Sequence, residues 1–323
     1  MAYRFKLKES LTRGVRRVGS EQFELAEGHL RIAADPAGSI HETRKCIKRL
    51  RALLRLVRAA IGEKPYQHEN RELQQMGRLL SPARDGEVMR LTLAKLETRL
   101  SGNRQVIVDR LRERLDHAAF PETEEIRGKV LSSLTRAKRR FAQIKVQNNG
   151  FDALEVGLHA TYRKGRRALA QVQLEPDDEA FHDLRKSVQQ HWRQMLLVSR
   201  AWPEMCRARA SAARDIAQIL GEEHDHAVLA AFAGLQRDNG LATDEIEIIH
   251  QDCRARQLEL RNLALPMAKR LFAERPRRFA HQVAVSWEAA RDLDILAPSA
   301  PEADAETPPA RPSRARRRAK SEE

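Results

Sequence analysis

The chain has 323 residues, of which 32% are charged and only 5% are aromatic, and its formal net charge is +14. No run of about 18 apolar residues occurs, so no segment is expected to cross a membrane, and the N-terminus lacks the apolar stretch of a secretion signal. The three cysteines lack metal-ligand spacing, which predicts reduced thiols in a cytoplasmic protein. The basic balance instead predicts a polyanionic partner: nucleic acid, an acidic membrane surface or inorganic polyphosphate.

The first half of the chain is predicted to be helical throughout, because apolar residues recur at helical spacing and alternating β-branched runs are nearly absent. Ser39 is expected to cap the second helix, and Asp85 is expected to cap the helix that follows the turn at 81–86. The predicted helices cover residues 6–33, 41–61, 66–81, 87–100, 104–118 and 124–141.

The second half is predicted to follow the linker 146–150 and to be helical as well. Gly221 is expected to end one helix and Asp225 to cap the next. Residues 1–295 are predicted to form one domain with halves at 5–145 and 150–295. Residues 296–323, rich in proline, alanine and arginine, are predicted to be a disordered basic tail. The predicted helices cover residues 151–171, 176–202, 205–220, 225–238, 244–275 and 277–294.

The run 41–58 has the strongest charge pattern in the chain. One face of this predicted helix carries six cations and His41, and the opposite face is apolar. Glu42 is the only acid in the run, although like charges four residues apart each cost roughly a few tenths of a kcal/mol. This pattern predicts a bound anion, and the alternative is a solvated lysine- and arginine-rich face.

The run is repeated later in the chain. Residues 182–200 reproduce its histidine, acid, arginine and lysine at an offset of 141. Segments 79–88 and 219–228 resemble each other at an offset of 140. Two motifs in the same order at nearly one spacing indicate an internal duplication.

Together these motifs resemble the CHAD family, the conserved histidine α-helical domain. The resemblance rests on the two His-x-x-Arg helices, on Ser81–Asp85 and Gly221–Asp225, and on the basic segments 162–167 and 269–276. It covers residues 5–295 and implies an all-α fold of two helical-bundle halves related by an internal pseudo-two-fold axis. It also implies a central basic cavity between the histidine helices, binding of inorganic polyphosphate, and targeting to polyphosphate granules in several members.

The resemblance assigns polyphosphate binding to residues of both histidine helices and of the basic segment before the second one. In the second helix, glutamines 189 and 190 and Trp192 and Arg193 replace further basic residues and an Arg-Tyr pair, so affinity is expected to be skewed to the first half. Wheel position or local charge adds Arg55, Arg193, Arg17 and Arg270. The residues assigned by resemblance are His41, Arg44, Lys45, Lys48, Arg51, Arg163, Lys164, Arg166, Arg167, His182, Arg185 and Lys186.

The expected function is non-catalytic binding of inorganic polyphosphate at cytoplasmic polyphosphate granules, with no metal and no cofactor. Arginine can grip two phosphate oxygens, and lysine acts as a point charge. Protonation of His41 and His182 is expected to raise affinity as pH falls from 8 to 6.

Four alternatives remain. A basic helical protein that binds nucleic acid non-specifically is disfavoured by the scarcity of aromatic platforms. A metal phosphohydrolase built on 224–226 together with His41, His182 and Asp85 is disfavoured, because helix capping is expected to explain the aspartates and zinc ligands usually have closer spacing. The chain could also be an accessory to a polyphosphate- or triphosphate-processing enzyme, or a scaffold whose basic face is merely solvated.

Overall fold

The structure, a computed structural model, describes residues 3–32, 36–97, 104–118, 124–147, 150–237 and 241–296. Within these ranges every regular element is a helix, so the predicted all-α fold is confirmed. The first half contains α1 (Leu11–Arg31), α2 (Pro36–Leu56), α3 (Arg58–Ile61), α4 (Glu63–Leu79), α5 (Ser81–Glu97), α6 (Arg104–His117) and α7 (Glu124–Phe141). The second contains α8 (Asp152–Leu174), α9 (Asp178–Leu197), α10 (Pro203–Gly234), α11 (Thr243–Leu271) and α12 (Pro276–Leu296).

Local sequence explains several helix starts. Ser10 caps α1 by accepting a hydrogen bond from the backbone N–H of Arg13 at 3.3 Å, so α1 begins later than predicted. Asp177 caps α9 in the same way, accepting from Ala180 N at 2.8 Å. Prolines occupy the first position of α10 and α12, where the missing N–H would have no partner in the helix.

Three predicted caps are wrong. Helix α2 begins at Pro36, so Ser39 lies inside it, where its hydroxyl donates to the carbonyl oxygen of His29. Asp85 lies inside α5, and Asp225 lies inside α10, which runs through Gly221 without a break. Helix capping therefore does not explain either aspartate.

The larger hydrophobic cluster joins both halves around α2 and α9. The apolar face of α2 is fully buried there, including Leu50, Leu53 and Leu54. Helix α8 packs tightly against the end of α2, because a Cβ on Gly157 would lie only 1.9 Å from the carbonyl oxygen of Leu56. The larger hydrophobic cluster therefore holds α2, α8 and α9 against one another.

A second hydrophobic cluster links α5 and α6 of the first half to the end of α10 and the start of α11. Arg104 and Arg110 of α6 reinforce it through ion pairs with Asp252 at 2.6 Å and Glu245 at 2.7 Å. The pseudo-two-fold relation and the domain boundaries stay predictions, and the predicted tail lies outside the described residues except Leu296.

None of the helices in the described ranges is both long and apolar enough to cross a bilayer. The three cysteines are buried and free, and burial raises the pKa of each thiol.

Candidate functional site

Helices α2 to α5 and α8 to α10 enclose a cavity of about 860 Å³, here called the basic groove. Its described lining carries ten lysine or arginine side chains, three carboxylates and two histidines. The carboxylates are Asp85, Asp183 and Asp225. The cations are Arg44, Lys48, Arg51, Arg55, Arg58, Arg78, Lys164, Arg185, Lys186 and Arg193.

Polar groups of α4 and α5 orient the arginines of α2. Arg44 Nη1 donates to the carbonyl oxygen of Gly77 at 2.7 Å and to Ser81 Oγ at 2.8 Å. Arg51 Nε donates to Asn70 Oδ1 at 3.1 Å. These acceptors are uncharged, and the bonds fix the direction of the two guanidinium groups.

The second histidine helix places its first arginine in a matching position. Arg185 of α9 stands at the repeat position of Arg44, and its guanidinium lies beside Gly221 of α10, where a Cβ would be 3.6 Å from Nη2. Gly221 is itself at the repeat position of Ser81. Each copy therefore sets this arginine against the same point of a neighbouring helix, with a serine there in the first copy and a glycine in the second.

The floor of the groove, where α2 and α9 meet, contains arginines without carboxylate partners among the described residues. Arg55 Nη1 donates to Gln190 Oε1 at 2.9 Å, and Arg193 Nη1 donates to the carbonyl oxygen of Gln189 at 2.8 Å. Arg193 is only 8% exposed, and burial, assisted by neighbouring arginines, lowers its pKa to about 10. Burial likewise lowers the pKa of Arg51 to about 10. Buried charges without a counter-ion are costly, so a bound anion should stabilise this floor.

Two histidines stack on one another at the edge of the groove. The rings of His182 and His224 lie 4.2 Å apart, and no described residue offers a hydrogen bond to the buried Nδ1 of His182. Burial first, and nearby cations second, lower the pKa of His182 to about 4. Burial and His182 lower that of His224 to about 4. Both rings are therefore neutral at pH 6 to 8 in the free protein, and any histidine-linked gain in affinity is expected at lower pH than the sequence indicated.

The family model that matches this sequence is the CHAD domain, over residues 19–234, which is more than half of the chain. This chain belongs to the CHAD family. Its fold is similar to the crystal structure of the CHAD domain from the plant Ricinus communis, with a TM-score of 0.59. The match covers 84% of this chain and 95% of that chain at 17% identity, so it shows the shared fold alone. No curated protein matches the sequence.

The CHAD fold brings nine of the predicted binding residues to the basic groove. They come from α2, α8 and α9, so both histidine helices contribute to one cavity. Their part in binding stays a prediction. The nine are Arg44, Lys48, Arg51, Arg55, Lys164, His182, Arg185, Lys186 and Arg193.

Three of the other predicted residues lie elsewhere in the first half of the chain. His41 is exposed on α2 outside the groove lining, and Lys45 pairs with Glu42 at 3.0 Å. Arg17 forms ion pairs with Glu9 at 2.5 Å and with Glu21 at 3.2 Å. Glu21 lies four residues along the helix and was a local signal of this pairing, whereas Glu9 is eight residues away.

The remaining four lie outside the groove lining, on α8 and α11. Arg163 and Arg167 are exposed on α8, and Arg270 is exposed near the end of α11. Arg166 is committed to a structural contact, because its Nη1 donates to the carbonyl oxygen of Ala273 at 3.1 Å.

The groove of this CHAD domain also contains polar residues that were not predicted. The resemblance between 79–88 and 219–228 contained a usable signal for four of them, since repeated polar positions indicate a shared role. A second signal was that polar residues recur every four positions along one face of α4, at 66, 70, 74 and 78. The missed residues are Arg58, Tyr66, Asn70, Gln74, Arg78, Ser81, Asp85, Thr161, Asp183, Ser187, Gln189, Gln190, His224 and Asp225.

In the described part of the CHAD domain, no three His, Cys, Asp or Glu side chains are grouped so that they could hold a metal ion.

Proposed function

We propose that this protein binds inorganic polyphosphate in the basic groove and does not turn it over. The observation that carries the proposal is the surplus of ten basic over three acidic lining residues, with floor arginines that lack a described carboxylate partner. The family supports the same ligand, since CHAD domains are associated with polyphosphate binding in general.

The geometry of α2 suits a linear ligand with one charge on each repeating unit. From Arg44 to Arg55 its cations extend over about 16 Å at the rise of an α-helix. Arginine forks can bind two phosphate oxygens at once, and Lys48 adds a mobile point charge between them. The cations of α9 face the same cavity, so a phosphate chain would be contacted by both histidine helices.

The groove offers little to a nucleic-acid base. Tyr66 is the one Phe, Tyr or Trp ring among the described lining residues, and it is 8% exposed. The guanidinium of Arg58 covers this ring at 4.6 Å from its centroid. Since proteins that bind single-stranded nucleic acid usually stack bases on open aromatic faces, the site favours a ligand made of phosphates alone.

Binding is tested by titrating polyphosphate into the full chain at two salt concentrations. A groove variant combines Lys48→Gln, Arg51→Gln, Arg55→Gln and Lys186→Gln. Its control variant combines Arg114→Gln, Arg139→Gln, Arg237→Gln and Arg254→Gln, which removes the same charge from exposed positions outside the groove.

Wild-type affinity should fall steeply with salt, because phosphate binding releases counter-ions. The groove variant should bind at least about 100-fold more weakly, with a salt slope lower by about three. The control variant and a chain ending at residue 296 should bind within about threefold of wild type. Equal losses in the two variants, or equal displacement by RNA of matched charge, would overturn the proposal.

The non-catalytic role and association with cytoplasmic polyphosphate granules belong to the same proposal. An assay of phosphate release from long-chain polyphosphate, with Mg²⁺ or Mn²⁺ supplied, should show no release above buffer. Release that is lost on His182→Gln would show instead that the groove is an active site.

A further inference from the structure

We propose that a second polyanion-binding surface continues the basic groove, so that one long polyphosphate chain contacts both. This surface, the turn patch, surrounds the connection between α11 and α12. The inference rests on the proposed function, because it extends the site of the same ligand. The turn patch consists of Lys269, Arg270, Arg275, Arg277 and Arg278, all of them exposed.

The charge of the turn patch is not balanced locally. Glu274 is the one acid between residues 269 and 278, and its carboxylate lies 2.9 Å from Arg209 instead. No described carboxylate lies within ion-pair distance of the five patch cations. On α6, by contrast, Arg104 and Arg110 each pair with an acid of α11. The protein thus pairs these two arginines of α6 with acids and leaves the turn patch uncompensated, which is the arrangement expected of a surface that meets an anion.

The turn is held firmly against α8 by the segment 162–167. Tyr162 OH donates to the carbonyl oxygen of Leu271 at 3.0 Å and accepts from Glu274 N at 3.2 Å. Gly165 leaves room for Phe272, since a Cβ there would lie 2.4 Å from the ring. These contacts fix the position of the turn patch relative to α8, and α8 lines the groove.

Cations follow one another around the outer surface of α8 between the basic groove and the turn patch. Lys164 lines the groove, and Arg166 on the other side contacts the α11–α12 turn. At 100° per residue, Arg167 and Arg163 fall between those two directions, and both are exposed. Neither has a described carboxylate partner. A phosphate chain leaving the groove at Lys164 would therefore meet cations across about 10 Å, the width of one helix, before reaching the turn patch.

This arrangement predicts a dependence on chain length. Tripolyphosphate can occupy the groove alone, whereas long-chain polyphosphate would contact both surfaces. The second contact would then be intramolecular and would add affinity without changing the groove. Long chains should also show a steeper salt dependence, because more counter-ions are released.

The test uses a patch variant that combines Lys269→Gln, Arg275→Gln, Arg277→Gln and Arg278→Gln in the full chain. The control variant defined above removes the same charge from other faces. Each protein is titrated with tripolyphosphate and with long-chain polyphosphate, and thermal unfolding verifies that it is folded.

The patch variant should bind tripolyphosphate within about twofold of wild type but long-chain polyphosphate about tenfold more weakly. The control variant should match wild type with both ligands. A patch variant that keeps wild-type affinity for the long chain, or an equal loss in the control variant, would overturn the turn patch alone. Failure of the groove variant to weaken tripolyphosphate binding would instead overturn the proposed function.

Discussion

Replacing Arg193 with methionine should make the ligand-free protein more stable while weakening its binding of polyphosphate. Arg193 is 8% exposed in the floor of the groove, and no described carboxylate pairs with it. Methionine keeps an unbranched apolar stem, shorter than that of arginine, and removes the charge. The two effects have opposite signs because the charge is a cost in the free protein and a contact in the complex.

The magnitude of the stability change follows from the environment of the guanidinium. Lowering the pKa from 12.5 to about 10 corresponds to a penalty of about 3 kcal/mol against the charged form. The substitution also loses the bond to the carbonyl oxygen of Gln189, worth about 1 kcal/mol, and the contact with the Trp192 ring, worth about 0.5–1 kcal/mol. The free energy of unfolding should therefore rise by about 1–2 kcal/mol, and Tm by about 3 °C.

The change in binding free energy is expected to be larger than the change in the free energy of unfolding. Loss of one charge-assisted bond to phosphate costs about 1.5–3 kcal/mol, which weakens affinity about 10- to 100-fold. The salt slope should fall by about 0.7, as expected for one phosphate contact on a single chain. Saturating polyphosphate should then raise the Tm of the wild type more than that of the variant.

Thermal unfolding with and without polyphosphate, together with a binding titration, measures both effects. Arg114→Met is the matched control, since Arg114 is exposed on α6 and has no described carboxylate partner. It should change stability by less than about 0.5 kcal/mol. If Arg193→Met lowered the Tm of the free protein, or bound polyphosphate as wild type does, the reasoning about an uncompensated buried charge would be refuted.

Two further predictions concern pH and packing. Burial first, and nearby cations second, lower the pKa of His182 to about 4, and bound phosphate opposes the effect of the cations. The complex then binds more protons than the free protein, so polyphosphate affinity should rise as pH falls from about 6.5 toward 4. Titrations across this interval should be flatter in a variant that combines His182→Gln and His224→Gln, and an unchanged profile would contradict the linkage. Gly157→Ala should lower the free energy of unfolding by more than about 3 kcal/mol, because its Cβ would lie 1.9 Å from the carbonyl oxygen of Leu56. Gly128 of α7 has open space around it, so Gly128→Ala should instead raise the free energy of unfolding by about 0.5–1 kcal/mol. Chemical denaturation measures both variants, and similar losses of stability in the two would argue against the close contact at Gly157.

The two histidine helices could be predicted from the sequence because their pattern is local. Leucines and cations separate onto opposite faces of 41–58, and the same arrangement recurs at 182–200. Helical periodicity alone therefore determines which side of α2 is buried, and Leu50, Leu53 and Leu54 are indeed in the core. The repeat then predicts that a second helix has the same two faces.

The helix boundaries at Asp85 and Asp225 could not be obtained in the same way. Both aspartates follow residues that usually interrupt a helix, so local preference favours a cap. Packing overrides it. Helix α10 buries Leu220 and Leu229 on the two sides of Asp225, and α5 buries Met89 and Leu93 after Asp85. The consequence reaches the site: inside continuous helices, both aspartates line the basic groove.

The glutamines of α9 show that the second half contributes to the site in spite of its few cations. From the sequence, Gln189 and Gln190 are places where a cation is missing. In the structure Gln190 connects the histidine helices, accepting from Arg55 at 2.9 Å and donating to the carbonyl oxygen of Ala52 at 3.2 Å. A lysine there would repel Arg55 and lose the acceptor that orients it. The second half thus contributes by positioning a cation of the first half, and a count of charges in each half does not measure its share of the site.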